Sequence, residues 1–265
     1  MKVRKSTHTW KTVGGCAVRA DVYVPGGEAP RPVIVWIHGG ALILGDRGAV
    51  MLADHARRYL EAGFAVASID YRLAPETKLA GIIEDLQEAF AWVREEGPRL
   101  FGADPERIAA VGHSAGAYLA LMSGSRVDPP PRALVSFYGY GDIVGHWYSR
   151  PDPHYCREPM VPEHEARAAV GADPISEVPA DATQRGRFYL WCRQQGAWPR
   201  EVVGHDPETE PQAFDPLCPL RNVTPEYPPT LLLHGDADTD VPHEQSVLMA
   251  DALGRAGVEH ELITL

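Results

Sequence analysis

The five residues Gly112-His113-Ser114-Ala115-Gly116 carry the strongest chemical signal in the sequence. They follow an apolar run, Ile108-Ala109-Ala110-Val111, that reads as a strand. They precede a small-residue run, Ala117-Tyr118-Leu119-Ala120, that reads as a helix. A serine hydroxyl is a weak nucleophile until a tight turn presents it and a base takes its proton. Glycines on both flanks permit such a turn, because a side chain at either position would collide with it. The chemistry this suits is acyl transfer. Ser114 attacks a carbonyl, and the N–H of Ala115, at a helix N-terminus, meets the oxyanion that develops.

Two further clusters fit that chemistry. His38-Gly39-Gly40-Ala41 directly follows the apolar run 33–37. Open α/β sheets bind their ligands beyond the carboxyl ends of strands. Consecutive glycines there let backbone N–H groups approach a substrate oxygen, so Gly39 and Gly40 are candidates for the rest of an oxyanion hole. His38 belongs to that loop and reads as a packing and hydrogen-bonding residue rather than a base. The second cluster, His234-Gly235-Asp236-Ala237-Asp238-Thr239-Asp240, sets acids just past the apolar run 230–233. A carboxylate is needed to orient the imidazole that activates a serine. Asp236, Asp238 and Asp240 all compete for that role, and Asp236 and Asp240 equally suit turn or capping positions.

The elements that must position these residues alternate in type. Residues 19–24 read as an exposed strand and 32–37 as a buried one, with further strands over 64–69, 108–111, 133–138, 230–233 and 261–265. Helical spacing marks 49–63, 79–96, 115–122 and 244–256. Apolar strands separated by helices predict a parallel sheet covered on both faces. Residues 139–229 break the rhythm. They are rich in proline and aromatics, as in His146-Trp147-Tyr148 and Phe188-Tyr189-Leu190-Trp191. A structureless stretch of that length is improbable inside a compact domain, and aromatics argue against disorder. It is expected to be an inserted helical cap that forms an apolar acyl or aryl pocket over Ser114.

Composition narrows the function classes. The chain has 265 residues, 45% hydrophobic, with a net charge of −11. One large domain fits that length. The acidic balance argues against a nucleic-acid partner, which would need clustered Lys and Arg. No apolar run approaches the roughly 20 residues of a membrane span. The basic start, Met1-Lys2-Val3-Arg4-Lys5, lacks the apolar stretch of a secretory signal, so a cytoplasmic location is expected. Cys16, Cys156, Cys192 and Cys218 have no metal-site or redox spacing and read as reduced thiols, with a Cys156–Cys192 or Cys192–Cys218 bridge as the alternative. No metal or other cofactor is expected.

At these motifs the chain resembles the α/β-hydrolase superfamily. Within it the chain is most similar to the esterase/lipase branch: the hormone-sensitive-lipase-like, feruloyl-esterase-like and kynurenine-formamidase-like carboxylesterases. The residues that carry the resemblance are 38–41, Asp70-Tyr71-Arg72-Leu73-Ala74-Pro75-Glu76, 112–116 and 234–242. The hormone-sensitive-lipase pattern has a glycine in place of Ala41 and an acid in place of His113, which points to the feruloyl-esterase-like side. The resemblance implies an α/β-hydrolase fold with a mostly parallel central sheet, helices on both faces and an inserted cap. The core would be 1–138 and 230–265, cut short at its C-terminus, and the cap 139–229. Asp238 becomes the acid, because an Asp-x-x-Val-Pro pattern marks it in these families. Residues 70–76 become a structural loop, and a small-molecule ester the substrate.

The resemblance also raises the question of the base. The family's catalytic histidine comes from the loop after the last strand, and the sequence reaches Leu265 within or at the end of that strand. His243 lies too close behind Asp238. His260 would serve only if that strand were shorter, and His146, His154, His164 or His205 only by substitution from the cap. The expectation is a triad whose histidine lies beyond Leu265, and little activity without it. Amide or aryl-formamide cleavage by the same machinery, and a non-catalytic binding protein of the same fold, are the alternatives to ester hydrolysis.

Overall fold

The computed structural model describes residues 2–52, 54–178 and 183–265. Met1, residue 53 (inside the helix expected over 49–63) and residues 179–182 (inside the expected cap) lie outside the described residues. Among the described residues, eight strands form one sheet: β1 (Val3–Val13), β2 (Cys16–Pro25), β3 (Arg31–Ile37), β4 (Ala65–Ile69), β5 (Ala103–His113), β6 (Leu134–Phe137), β7 (Thr230–His234) and β8 (His260–Thr264). Their spatial order is β1-β2-β4-β3-β5-β6-β7-β8. β1 with β2 and β2 with β4 are antiparallel, and every later pair is parallel. The helices are α1 (Asp54–Glu61), α2 (Leu79–Glu95), α3 (Gly97–Phe101), α4 (Ala115–Arg126), α5 (His146–Ser149), α6 (Glu163–Ala168), α7 (Thr183–Gln195), α8 (Trp198–Val203) and α9 (Glu244–Ala256). Among the described residues, no helix is long and apolar enough to cross a membrane.

The parallel register decides where chemistry can sit. Ile37 pairs with Gly112, His113 with Phe137, and Phe137 with Leu233. The loops after β3, β5, β6 and β7 therefore leave the sheet at one edge. The central strands β3 and β4 are largely buried on both faces, as sequences of parallel sheets are, whereas β6 and β7 alternate buried with partly buried residues. The α2 stripe Ile82, Ile83, Leu86, Ala89, Phe90 and Val93 is buried as its spacing requires.

Several expectations change. Residues 19–24 are not an exposed strand. They belong to β2, which is largely buried because β1 and β4 flank it. The basic N-terminal residues form β1 itself. The helix expected over 49–63 is a 3₁₀ turn, Arg47–Leu52, followed by the shorter α1. All four cysteines are free, so neither disulfide forms. Residues 139–229 carry α5 to α8, and their large aromatics are spent on packing. Tyr140, Tyr148, Phe188 and Trp198 are buried in one cluster with Ile37, Leu42 and Ile82 of the sheet and α2.

Gly116 shows how tightly α4 is drawn onto the sheet. A β-carbon there would lie 2.1 Å from the carbonyl oxygen of Ile37. We predict that Gly116→Ala destabilises the protein by about 1–3 kcal/mol through overpacking. Gly186, inside α7, has open space around it. Gly186→Ala should be neutral or stabilise by up to about 1 kcal/mol through helix propensity. Chemical denaturation of both variants checks the contrast.

Candidate active site

Ser114 sits at the N-cap of α4 with φ 52° and ψ −119°. A non-glycine residue there is strained, and such strain persists only where packing over-determines it. The packing is visible at both flanking glycines. A β-carbon on Gly112 would meet the Gly116 oxygen at 2.1 Å, and one on Gly116 would meet the Ile37 oxygen. The N–H of Ser114 donates to the Phe137 carbonyl at 2.9 Å, which pins the turn to β6. Ala115 opens α4, so its N–H has no partner within the helix.

The glycine loop approaches from β3. A β-carbon on Gly39 would fall 3.4 Å from the Ser114 β-carbon and 2.8 Å from the His113 oxygen. Gly40 has φ 108°, and a β-carbon there would strike the Leu44 carbonyl. Ala41 and Leu42 also lie in the left-handed region, at φ 55° and 63°. The carbonyls of this loop are occupied. Tyr71 Oη–H donates to His38 O at 2.9 Å, and the Ile43 and Leu44 N–H groups donate to Gly40 O at 2.9 Å. His38 Nδ1 lies 2.7 Å from Gly39 O, so Nδ1 carries the proton. Among the described residues, by contrast, no hydrogen bond consumes the N–H of Gly39, Gly40 or Ala115. Burial pushes the His38 imidazole down to about 4. His38 is thus a neutral packing residue stacked on Tyr71.

The loop after β7 separates the three aspartates. Asp236 is exposed. Asp238 Oδ1 accepts the N–H groups of Asp240 and Val241 at 2.8 and 3.0 Å. Its Oδ2 lies 3.5 Å from His234 Nε2. That ring is buried and neutral, its pKa lowered by desolvation, and its Nε2–H donates to Val241 O at 2.9 Å. Oδ2 therefore remains available to another donor. Asp240 is committed elsewhere: its Oδ1 accepts from Tyr155, Tyr189 and Arg193 at 2.7, 2.6 and 2.6 Å. By sequence Asp240 reads as one of three competing acids that equally suits a turn or capping position. It is an anchor for residues 152–193, and the buried Arg193 that pairs with it had no local signal.

Beside Ser114 lies a cavity of about 480 Å³ lined by Trp36, His38, Gly39, Gly40, Ala49, His55, His113 and Tyr138. Among the described residues, none of its walls comes from 139–229. This corrects the expected aromatic cap pocket, because those aromatics are buried in the core. Aromatic character comes instead from strand-end residues. His113 stacks on Phe137 with ring centres 4.7 Å apart, and His55 lies 4.9 Å from His113. Desolvation, with His55 adding to it, lowers the His113 imidazole to about 4. His55, Trp36 and Tyr138 were missed because they contribute one by one from distant segments. Tyr138 sits just past β6 at φ 42°, a position the sequence could have flagged as the neighbour of the elbow.

No imidazole among the described residues hydrogen-bonds Ser114. His260 opens β8 opposite Thr230, at the far edge of the sheet, roughly 13 Å of strand away from the carboxyl ends. His243 Nε2 is 2.9 Å from Thr264 Oγ1, and His205 pairs with Glu210. The Leu265 N–H donates to His234 O, and Leu265 O accepts from Asp236 N–H at 3.1 Å. β8 thus delivers the main chain to the same edge as the Asp238 loop.

Residues 20–253 match the model of the BD-FAE family. The non-reducing polyketide synthase adrD of Penicillium rubens is 30% identical over 296 residues, taking in 94% of this chain and 12% of that protein. The synthase Preu6 of Preussia isomera is 26% identical, over 98% of this chain and 13% of that protein. The chain therefore spans only about an eighth of the length of these relatives. Among solved structures, a protein of unknown function from Staphylococcus aureus is similar with a TM-score of 0.75 and 22% identity, over 99% of this chain and 88% of that one. The butyrate-bound esterase Est2 of Thermogutta terrifontis is similar with a TM-score of 0.68 and 22% identity, over 98% and 82%. A truncated carbohydrate esterase from gut microbiota reaches 0.70 with 21% identity, over 100% and 87%. Strand order, elbow and family match agree: the chain belongs to the BD-FAE family and has the α/β-hydrolase fold.

Proposed function

We propose that the protein is a serine hydrolase that cleaves carboxylic esters through an acyl-enzyme on Ser114. The observation that carries this reading is the strained elbow at Ser114, ringed by the unconsumed N–H groups of Ala115, Gly39 and Gly40. A carbonyl in the adjacent cavity is attacked by Ser114 Oγ, and its oxygen becomes an alkoxide. Those N–H donors, fixed before the reaction, stabilise it without reorganising. The alkoxide collapses and expels the alcohol, and water then releases the acid by the same route. The esterase Est2 of Thermogutta terrifontis, similar in fold to this chain, has been seen both with butyrate and phosphonylated by sarin, chemistry that fits a nucleophilic serine.

Asp238 is the acid in this reading. Its Oδ1 is held by two backbone amides, and its Oδ2 is free to accept from an imidazole N–H. β8 brings the backbone to Asp236 at this edge, and an imidazole that donates to Oδ2 there would complete the triad. A carboxylate so placed selects the tautomer of the base and stabilises its cationic form. Asp240 is instead committed through its Oδ1 to Tyr155, Tyr189 and Arg193, which anchors the 139–229 segment.

A second reading concerns the acyl donor. The relatives matched over nearly the whole chain are polyketide synthases. The same elbow would take an acyl group from a thioester as from an ester, with a thiol in place of the alcohol as leaving group. Comparing p-nitrophenyl acetate with an acyl N-acetylcysteamine thioester separates the two readings.

Three outcomes are expected for p-nitrophenyl acetate hydrolysis. Ser114→Ala should lose turnover to the level of the residual machinery, several orders of magnitude down. Asp238→Asn should lower kcat by about 10⁴, as a mis-set tautomer does, while Asp236→Asn leaves it unchanged.

A further inference from the structure

The loop that carries Gly39 and Gly40 holds a conformation its own residues do not favour. Ala41 and Leu42 are left-handed at φ 55° and 63°, between Gly40 and Gly45 at 108° and 103°. Residues with a β-carbon stay there only when their surroundings over-determine them. Here the surroundings come from residues 139–229, at alternate carbonyls. Trp198 Nε1–H donates to Ala41 O at 2.9 Å. Arg185 Nε–H donates to Ile43 O at 2.8 Å. The N–H of Val178 donates to Gly45 O at 3.1 Å.

Arg185 does more than close one bond. Its Nη2 donates to Ala74 O at 2.6 Å, and the Ala74 N–H donates to Leu42 O at 2.7 Å. Glu76 clamps the guanidinium through both carboxylate oxygens at 2.7 and 2.8 Å. Arg185, Glu76 and Trp198 are all buried, so these bonds are little weakened by competing water. Neither Trp198 nor Arg185 lines the cavity beside Ser114.

We propose that residues 139–229 act as a brace for the oxyanion hole, with Trp198 and Arg185 as positioning residues. By holding the carbonyls of Ala41 and Ile43 they fix the turn. The Gly39 and Gly40 N–H groups then stay where the oxygen of the attacked carbonyl arrives. The inference rests on the reading of Ser114 as the nucleophile. It assigns the segment a part in transition-state stabilisation rather than in substrate binding. A group that acts only on the transition state changes kcat and leaves KM alone.

The test uses Trp198→Phe, which keeps a buried ring and removes only the N–H, and Arg185→Lys, which keeps a cation for Glu76. Both are made in the full natural chain, and rates are expressed per site titrated with a fluorophosphonate, so misfolded protein does not count. Each variant should lose about tenfold in kcat for p-nitrophenyl acetate, with KM unchanged, a fraction of the loss seen when an oxyanion donor is deleted outright. Inhibition by a trifluoromethyl ketone, whose adduct carries the oxyanion, should weaken by the same factor. The acid limb of the pH profile should not move, since the triad is untouched. A kcat per titrated site within about twofold of wild type in both variants, with unchanged ketone inhibition, overturns the brace. If the wild type itself takes no fluorophosphonate, or Ser114→Ala still does, the nucleophile assignment fails and the brace with it.

Discussion

The approach of α4 to β3 is the constraint from which the rest of the site follows. A serine at φ 52° can be held only if the helix after it begins at once and the strand beside it gives no ground. Gly116 lets the first turn of α4 lie against the carbonyls of Ile37 and His38, and Gly112 lets the strand pass beneath that turn. The same contact brings Gly39 to the serine. The proposed nucleophile and the proposed oxyanion donors are thus set by one packing event between two parallel strands and one helix. The strain is spread over a sheet whose central strands are buried on both faces.

Around that contact the structure divides the polar work. The segment 70–76 ties distant parts together. Asp70 accepts from Arg47, Tyr71 Oη holds His38 O, Arg72 pairs with the buried Asp85 of α2, and Glu76 grips Arg185. Breaking one partner of such buried pairs leaves an uncompensated charge, so these residues serve geometry more than net stability. The two aspartates of the β7 loop are divided likewise. Asp240 binds Tyr155, Tyr189 and Arg193 and thereby anchors the 139–229 segment, while its amide holds Asp238. One loop carries both the anchor and the candidate acid.

Most of this frame was legible in the sequence, because it is written in local patterns. Continuous apolar strands, the α2 stripe, and glycines around Ser114 and after His38 each state a backbone requirement within a few residues. What was not legible depends on partners far apart. Residues 19–24 read as an exposed strand because their alternation is local, whereas the burial of β2 comes from β1 and β4. The aromatics of 139–229 read as a pocket lining, since composition alone does not say which way Tyr148 or Trp198 turns. They turn into the core, and the cavity walls are assembled singly from Trp36, His55, His113 and Tyr138. The role of Arg185 is invisible for the same reason: its acceptors, Ile43, Ala74 and Glu76, lie more than a hundred residues upstream.

In the proposed mechanism Ser114 is chemically set apart from every other hydroxyl in the chain. Peptide mapping by mass spectrometry, after brief exposure of the folded protein to an organophosphonate, tests this. One adduct per chain is expected, on the peptide that holds Ser114, abolished by unfolding before exposure. An adduct on another residue, or labelling that survives unfolding, would contradict it.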